Sequence, residues 1–199
     1  MQQAYQAPAT PLHQIRAGYN ATTIRVYQAY SDDIAHAALA HGTFQSPPFK
    51  MDRMTWIKPS FLWMMYRAGW GGKDDGQARI LALDITRSGF AWALEHACLS
   101  HADPLLGKVE WEAQKRAAPV RIQWDPERDL LSRPLAHRAI QIGLGKPAVD
   151  LFVHEWIRHI EDVTPVAHAI HALIAPEKFD AAAMMLPAER PYPATFPPI

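Results

Sequence analysis

The sequence predicts an α+β fold in a single domain, with a mixed sheet of about five strands, flanking helices, a helical C-terminal part and a proline-rich tail. Two observations predict this class. Segments typical of strands are mixed irregularly with segments of helical periodicity, and no internal repeat connects them. With 199 residues, of which 49% are hydrophobic, the chain can form one sizeable core. A doubly wound α/β sheet is the alternative.

Five segments have the composition of strands. The first starts at Thr23, where apolar and polar residues alternate and many side chains are β-branched or aromatic. This alternation places Val26 and Gln28 on one face of the strand and Arg25 and Tyr27 on the other. The remaining strands are predicted at residues 54–58, 78–86, 119–125 and 137–144.

Helices are predicted between and after these strands from capping residues and from the spacing of apolar side chains. Ser31 opens a helix that ends at Gly42, and Pro59 and Ser60 open a helix over residues 61–68. Further helices are predicted beyond Ser88, at residues 109–116, at residues 149–160 and from Thr164.

Composition divides the chain into three parts. Residues 1–20 contain prolines and small polar residues without periodicity, so we expect an N-terminal tail or a segment on the surface. Residues 21–175 form the predicted globular domain. Six prolines follow Ala175, which predicts a C-terminal tail without regular structure over residues 176–199 that either wraps the domain or is loose.

Charge and motif content exclude several classes of protein. Twenty basic and twenty acidic residues give a net charge of zero, which argues against bulk electrostatic coating of nucleic acid. The glycine motifs of dinucleotide-binding and P-loop proteins and the GxSxG motif of hydrolases are missing. Neither of two small histidine groups has enough ligands for a metal, so no metal site is predicted. These groups are His96, Cys98 and His101, and His168 with His171.

The cysteine content and the N-terminal sequence indicate a cellular location. Cys98 is the only cysteine, so an internal disulfide is impossible and a reducing compartment is favoured. The first residues lack the charged start and apolar run of a signal peptide, and no apolar run is long enough to span a bilayer. We therefore expect a cytoplasmic protein without a membrane partner. The sequence does not indicate an oligomeric state.

The most informative stretch is residues 51–70, with the sequence MDRMTWIKPSFLWMMYRAGW. It combines three tryptophans, one tyrosine and four methionines with cations at Arg53, Lys58 and Arg67. Because burial of an unpaired cation is unfavourable, this composition predicts aromatic faces with cationic tips that bind a flat anionic ligand such as a nucleotide. The alternative is a helix whose aromatic face belongs to the core while Arg53 and Arg67 extend to water.

Polar residues also interrupt segments that otherwise have the character of core strands. Each of them alone is commonly satisfied by a local hydrogen bond. Strands that lie side by side can bring several of them to one cleft, so together they predict a small-molecule site. The residues are Arg25, Gln28, Lys58, Asp84, Gln123, Asp125 and Gln141.

Six runs of sequence carry a family resemblance: IRVYQAY, DRMTWIKPSFLWMMYRAGW, RILALDITRSGF, VRIQWDPERD, IQIGL and WIRHIEDVT. They resemble the signature blocks of the DUF4291 family, a domain of unknown function. The resemblance extends over residues 13–165 and implies no activity by itself.

The segment YQAYSDDIAHAALAHGTF has a strand, then a helix, then a glycine close to an aromatic residue. This layout resembles the opening of ADP-ribosyltransferase-like domains. In this comparison Gln28 lies where such enzymes often have histidine, TWIKPS matches the second motif, and Gln123 or Asp125 lies near the third, usually a glutamate. These departures indicate either a different chemistry or the fold without the activity.

The second resemblance implies roles for individual residues in a transferase that uses NAD as cofactor. Cationic residues would bind the pyrophosphate, aromatic residues would stack on the nicotinamide, and an acid would stabilise the oxocarbenium or orient the acceptor. Glu127 and Arg128 could instead form a solvated turn pair. The implied catalytic residues are Gln28, Gln123, Asp125 and Glu127, and the implied cofactor-binding residues are Arg25, Tyr27, Tyr30, Trp56, Lys58, Ser60, Tyr66 and Arg67.

Three functions from different classes follow from the sequence. The first is a nucleotide-dependent transferase whose partner is a nucleotide-like small molecule, with nucleic acid as one of its possible acceptors. The second is a nucleic-acid-binding or processing module, which predicts a positive groove and binding that weakens with salt. The third is a non-catalytic structural or interaction domain, in which the polar residues are paired internally. The groove of the second would be formed by Arg53, Lys58, Arg67 and Arg121.

Overall fold

The computed structural model describes residues 10–101 and 107–194, and it confirms the α+β class. The helices are α1 (Asp32–His41), α2 (Phe61–Ala68), α3 (Arg87–Glu95), α4 (Lys108–Ala117), α5 (Ala148–Leu151), α6 (Thr164–Ile174) and α7 (Phe179–Met184). The strands are β1 (Arg16–Ala17), β2 (Thr23–Tyr30), β3 (Thr55–Ile57), β4 (Arg79–Thr86), β5 (Ala97–Leu99), β6 (Val120–Arg128), β7 (Pro134–Leu144), β8 (Ile157–Asp162) and β9 (Arg190–Pro191). Within the described residues they form three sheets, with the orders β1-β9, β2-β4-β8 and β3-β7-β6-β5.

The three-stranded sheet lies between two apolar clusters. Its central strand β4 pairs antiparallel with both β2 and β8. Leu81 and Leu83 pack into the larger cluster, whereas Ile80 and Ala82 pack on the other face against residues of α2 and α6. The nearly continuous apolar sequence of β4 follows from this burial on both faces.

The four-stranded sheet has one apolar and one polar face. β5 pairs parallel with β6, and the other neighbours pair antiparallel. Ile122 and Ile142 are opposite each other and belong to the larger core cluster. Gln123 and Gln141 are also opposite each other, and the alternation of side chains puts them on the other face. This polar face is one wall of the cavity described below.

Backbone hydrogen bonds connect the two larger sheets at the residue that follows β3. The Tyr27 N–H donates to the Lys58 carbonyl oxygen at 2.8 Å, and the Lys58 N–H donates to the Tyr27 carbonyl oxygen at 3.2 Å. This pair brings the end of β2 against the polar face of the four-stranded sheet. Gln28 thereby approaches residues from a different sheet.

The prediction of one helix over residues 149–160 is wrong. Helix α5 ends at Leu151, a π-helical turn covers Phe152–Trp156, and β8 follows. The apolar spacing is real, because Phe152 and Trp156 are buried in the core. However, Ile157 and Ile160 are buried as part of a strand, since pairing with β4 satisfies the backbone groups that a helix would have satisfied internally.

The prediction that no regular structure follows Ala175 is also wrong. Helix α7 lies between Pro176 and Pro187, and β9 pairs antiparallel with β1. The two strands come from the two segments that we expected as tails. Ile15 and Tyr192, which flank the pair, are buried in the larger core cluster. Among the described residues, none of the helices has the length and apolar character required to cross a membrane.

Candidate functional site

A cavity of 740 Å³ lies between the end of β2, the segment before β3, helix α2 and the polar face of β6 and β7. This volume is within the usual range for small-molecule sites. Its floor is buried and polar, and its rim is exposed and mostly cationic. The floor includes Gln28, Thr55, Lys58 and Gln141, and the rim includes Lys50, Arg53, Arg67 and Asp74.

Lys58 is a buried amine on the floor of this cavity. Its residue is 6% exposed, and its Nζ donates a hydrogen bond to the Trp56 carbonyl oxygen at 3.1 Å. Within residues 10–101 and 107–194, no carboxylate lies close enough to Lys58 to form an ion pair. Burial, helped by the charge of Arg67 and opposed by the charge of Asp125, lowers the pKa of Lys58 to about 7. A large fraction of Lys58 is therefore a neutral amine at neutral pH.

A chain of hydrogen bonds connects β2 with β3 beside Lys58. The Gln28 Nε2 donates to Thr55 Oγ1 at 2.6 Å, and the Tyr30 hydroxyl lies 2.6 Å from the same oxygen. Burial raises the pKa of Tyr30, so its hydroxyl keeps its proton. The Gln28 Oε1 is buried and has no hydrogen-bond partner among the described residues. A buried acceptor of this kind is costly unless a ligand or water donates to it.

Asp125 lies two residues beyond Gln123 on β6, outside the cavity lining, and holds two amides. Its carboxylate accepts from the Gln123 Nε2 at 2.9 Å and from the Gln141 Nε2 at 2.6 Å. Gln123 and Gln141 line the cavity, whereas Asp125 is not among the lining residues. The carboxylate therefore fixes the orientation of both amides, so that the wall is formed before a ligand binds.

Gly143 makes room for the aromatic part of the wall. A Cβ atom at this position would lie 2.8 Å from Cζ2 of Trp56, which is closer than side chains can approach. The indole can therefore pack directly against the backbone of β7, and Trp56 also lines the cavity. An indole fixed in this way is suited to stacking on a flat ring.

The structure brings about half of the predicted site residues to this cavity. Those that line it are Gln28, Tyr30, Trp56, Lys58, Arg67 and Gln123. The predicted residues that do not line it are Arg25, Tyr27, Ser60, Tyr66, Asp125 and Glu127.

Arg25 is on the opposite face of β2 and is already paired with carboxylates. Its Nε and Nη2 each lie 2.8 Å from an oxygen of Asp84, and its Nη1 lies 3.1 Å from Glu161. The bidentate bond to Asp84 is the main reason why the pKa of Arg25 is raised. The Arg25 guanidinium thus has its own anionic partners and lies away from the cavity.

Tyr27 and Tyr66, two of the three predicted tyrosines, also lie outside the cavity. Tyr27 is 1% exposed and packs edge-on against Phe61 with a centroid distance of 5.5 Å. Tyr66 is 41% exposed, and the guanidinium of Arg128 lies 3.9 Å from its ring centroid. The interpretation of α2 as a core helix therefore holds for part of its surface, because Trp63 is buried while Arg67 reaches the cavity rim.

Ser60 and Glu127 belong to a second group of buried polar residues at the start of α2. The Ser60 Oγ accepts from the Trp63 N–H at 3.1 Å and caps the helix. The Glu189 carboxylate accepts from the Phe61 N–H at 2.7 Å. We call Glu127 and Glu189 the carboxyl cluster.

Burial raises the pKa values of both acids of the carboxyl cluster. It raises the pKa of Glu189 to about 8, helped by the charge of Glu127 and opposed by the bond from Phe61 and by the charge of Arg16. Burial also raises the pKa of Glu127, against the effects of its hydrogen bonds to Arg128 and Ser60. Glu127 is therefore not the solvated turn residue that the sequence allowed.

Several lining residues were not predicted as site residues. Lys50 and Asp74 are in loops and Gln77 ends a short 3-10 helix, so their side chains had no strand pattern to indicate a direction. The sequence did indicate Arg53 as a cationic tip and Gln141 as a polar residue of the predicted small-molecule site, but it implied no catalytic or cofactor-binding role for them or for Thr55. Arg121, which we expected in a positive groove, instead donates to the Lys115, Ala118 and Val120 carbonyl oxygens. No group of three or more potential metal ligands occurs in the described parts of the chain.

The fold and the cavity define an α+β protein with a buried polar site that has a cationic rim. The chain belongs to the DUF4291 family, described as a domain of unknown function, since the family model matches residues 14–192. The match includes the region of β9 and so extends beyond the runs on which the resemblance was based. A comparison with curated proteins found no match.

Proposed function

We propose that the protein is a nucleotide-dependent transferase of the ADP-ribosyltransferase-like type that binds NAD in the cavity. The observation that carries this proposal is the charge of the cavity lining, where three exposed cations and the basic amine of Lys58 face one carboxylate. The exposed cations are Lys50, Arg53 and Arg67, and the carboxylate is Asp74. A phosphate-bearing ligand complements this excess of positive charge.

The lining provides groups for each part of such a ligand. Arg53 and Arg67 at the rim bind the pyrophosphate, because guanidinium groups form bidentate hydrogen bonds with phosphates. Trp56 stacks on the nicotinamide, and the amides of Gln28 and Gln123 bind the adjoining ribose. The proposal omits Arg25, whose guanidinium is paired with Asp84 and Glu161.

Asp125 acts in this proposal through the amides that it holds. In the resemblance to ADP-ribosyltransferase-like domains, the third motif falls at Gln123 or Asp125. The bonds from Gln123 and Gln141 to this carboxylate place its negative charge close to the cavity wall. That charge favours the positive charge that develops on the ribose as nicotinamide leaves. The acceptor is a small molecule, a nucleic acid or a protein, and the proposed location is the reducing cytoplasm.

Calorimetric titration and NAD turnover test this proposal together. We expect NAD, ADP-ribose and ADP to bind, and we expect the protein to release nicotinamide from NAD. Arg67→Gln should weaken binding of all three ligands by about tenfold, because a hydrogen bond to a charged group contributes about 1.5 kcal/mol or more. Arg116→Gln on the exposed face of α4 is the matched control and should bind like the wild type.

Other outcomes would favour the other two functions. Binding of short oligonucleotides without NAD, with a steep dependence on salt, would support a nucleic-acid-binding module. Lack of binding to every ligand would support an interaction domain. Binding of NAD without nicotinamide release would leave a nucleotide-binding protein and would remove the transferase part of the proposal.

A further inference from the structure

Lys58 differs from the other cations of the cavity because its surroundings remove its charge. The rim cations Lys50, Arg53 and Arg67 are exposed to water, whereas Lys58 is buried beneath them. Its contact with the Trp56 carbonyl oxygen satisfies one N–H, and the charge of Arg67 opposes protonation. A lysine that is desolvated next to a second cation is a pattern that activates the amine as a nucleophile.

We propose that Lys58 is an amine nucleophile that forms an imine with ligands carrying a phosphate and an aldehyde or a free sugar anomeric carbon. The inference rests on the proposed function, because the same cationic rim binds the phosphate. The open-chain form of the terminal ribose of ADP-ribose has both groups. Such a ligand places its phosphates at Arg53 and Arg67 while its carbonyl carbon reaches the floor of the cavity.

The chemical step needs no further reactant. The lone pair of Lys58 Nζ forms a bond to the carbonyl carbon, which gives a tetrahedral intermediate with a hydroxyl group. The two protons of the amine then leave with the carbonyl oxygen as water, and a carbon–nitrogen double bond remains. Gln28 Oε1, the buried acceptor without a partner among the described residues, can accept a hydrogen bond from that hydroxyl.

Reductive trapping with pyridoxal 5′-phosphate tests the inference. This flat aldehyde carries a phosphate, and borohydride adds a hydride to the imine carbon, which makes the link to the lysine permanent. We expect one label per chain, located at Lys58 by peptide mapping. Pyridoxal, which lacks the phosphate, should label about tenfold less, because charge-assisted hydrogen bonds to the phosphate are lost.

Two variants provide the controls. Lys58→Met should lose the label, whereas Lys73→Arg, an exposed lysine that does not line the cavity, should be labelled like the wild type. ADP should compete with the label without being trapped, and ADP-ribose should itself be trapped by borohydride at Lys58. A label spread over the exposed lysines of the wild type, or undiminished in Lys58→Met, would overturn the inference.

The result also separates the inference from the proposed function. If NAD and ADP bind and Lys58 stays unlabelled, the imine is excluded and nucleotide binding stands. If Lys58 is labelled and ADP neither binds nor competes, nucleotide binding is excluded and the reactive amine stands.

Discussion

Lys58 and the carboxyl cluster are two buried ionisable sites of opposite sign, separated by the first residues of α2. Burial opposes the charge of both, since it lowers the pKa of Lys58 and raises the pKa values of Glu127 and Glu189. The two sites differ in the groups that surround them. Lys58 lies beside a cavity, whereas the carboxyl cluster binds protein groups such as the Phe61 N–H and the Ser60 hydroxyl.

The comparison teaches that a perturbed pKa is not by itself a sign of function. The Glu189 carboxylate has a structural role. It accepts a hydrogen bond from the Phe61 N–H, a backbone donor at the start of α2 that has no partner within the helix. Among the described residues, Lys58 Nζ donates only to a carbonyl oxygen two residues away in sequence. The accessible space and the nearby unpaired acceptor distinguish the two sites, and they favour a functional role for Lys58.

Replacement of Lys58 should have the largest effect on stability. In the unfolded chain the amine keeps its proton up to about pH 10.5, and in the folded protein it loses it near pH 7. The unfolded state therefore binds more protons at this residue between these values, and the destabilisation that buried Lys58 causes decreases as pH rises through them. Lys58→Met removes this dependence, and its gain in unfolding free energy over wild type should be larger below pH 7 than above pH 10.5 by roughly 5 kcal/mol.

Urea unfolding at a series of pH values measures this difference. The charges that act on Lys58 are those of Arg67 on α2 and Asp125 on β6, and the other charged residues that line the cavity are Lys50, Arg53 and Asp74. Lys73→Met, at an exposed lysine, should show no such dependence. A constant gain for Lys58→Met across the whole pH range would show that the amine is not neutral in the folded protein.

Replacement of Glu189 should give a smaller effect with the opposite slope. Its pKa is about 8 in the folded protein and 4.5 ordinarily, so the folded state binds more protons between these values. The contribution of Glu189 to stability is therefore fully present below pH 4.5 and is lost as pH rises towards 8. The unfolding free energy of Glu189→Gln relative to wild type should therefore be higher above pH 8 than below pH 4.5 by roughly 3 kcal/mol, a value reduced because the residue is partly exposed.

Calorimetric melting temperatures at these pH values test the Glu189 prediction. The two acids interact, so the apparent titration belongs to the cluster rather than to either residue. Glu95→Gln, at an exposed acid on α3, is the control and should not alter the slope. A variant less stable than wild type above pH 8 would mean that the ionised carboxylate is needed at the start of α2.

Replacement of Ser60 should have the smallest of the three effects. Ser60→Ala removes the hydrogen bond to the Trp63 N–H and should destabilise the protein by about 1 kcal/mol, the usual contribution of a helix cap. Ser31 is the matched control, because it precedes α1 without a side-chain capping bond. Denaturant midpoints should therefore shift for Ser60→Ala and stay nearly constant for Ser31→Ala. Equal shifts would remove the distinction between the two caps.

Local patterns predicted most of the fold. The bounds of β2, α1, α2, β4 and α6 follow from capping residues, alternation and glycine ends, all of which depend on neighbours in sequence. β8 was not predictable in this way, because Ile157 and Ile160 fit helical spacing as well as a buried strand. The segment forms a strand because β4 has an edge with which it can pair, and the position of that edge depends on the whole fold.

The candidate site was predicted in part, for a related reason. Alternation along β2 already separates Gln28 from Arg25, so the two could not share one wall. Along β6, Gln123 and Glu127 are on one face, but four residues of strand put them about 13 Å apart. Which of them meets the cavity depends on the position of α2, which the sequence pattern does not give.

The pairing of β1 with β9 links distant parts of the chain. Arg16 is opposite Pro191, and the segment between α7 and β9 supplies Glu189 to the start of α2. Truncation after Ala175 would therefore remove contacts of the domain itself. The Phe61 N–H would lose its acceptor, and β1 would lose its pairing with β9. The segment after α7 thus supports the start of α2, the helix that carries Arg67. Its removal would therefore displace the rim of the cavity, although the segment itself does not line it.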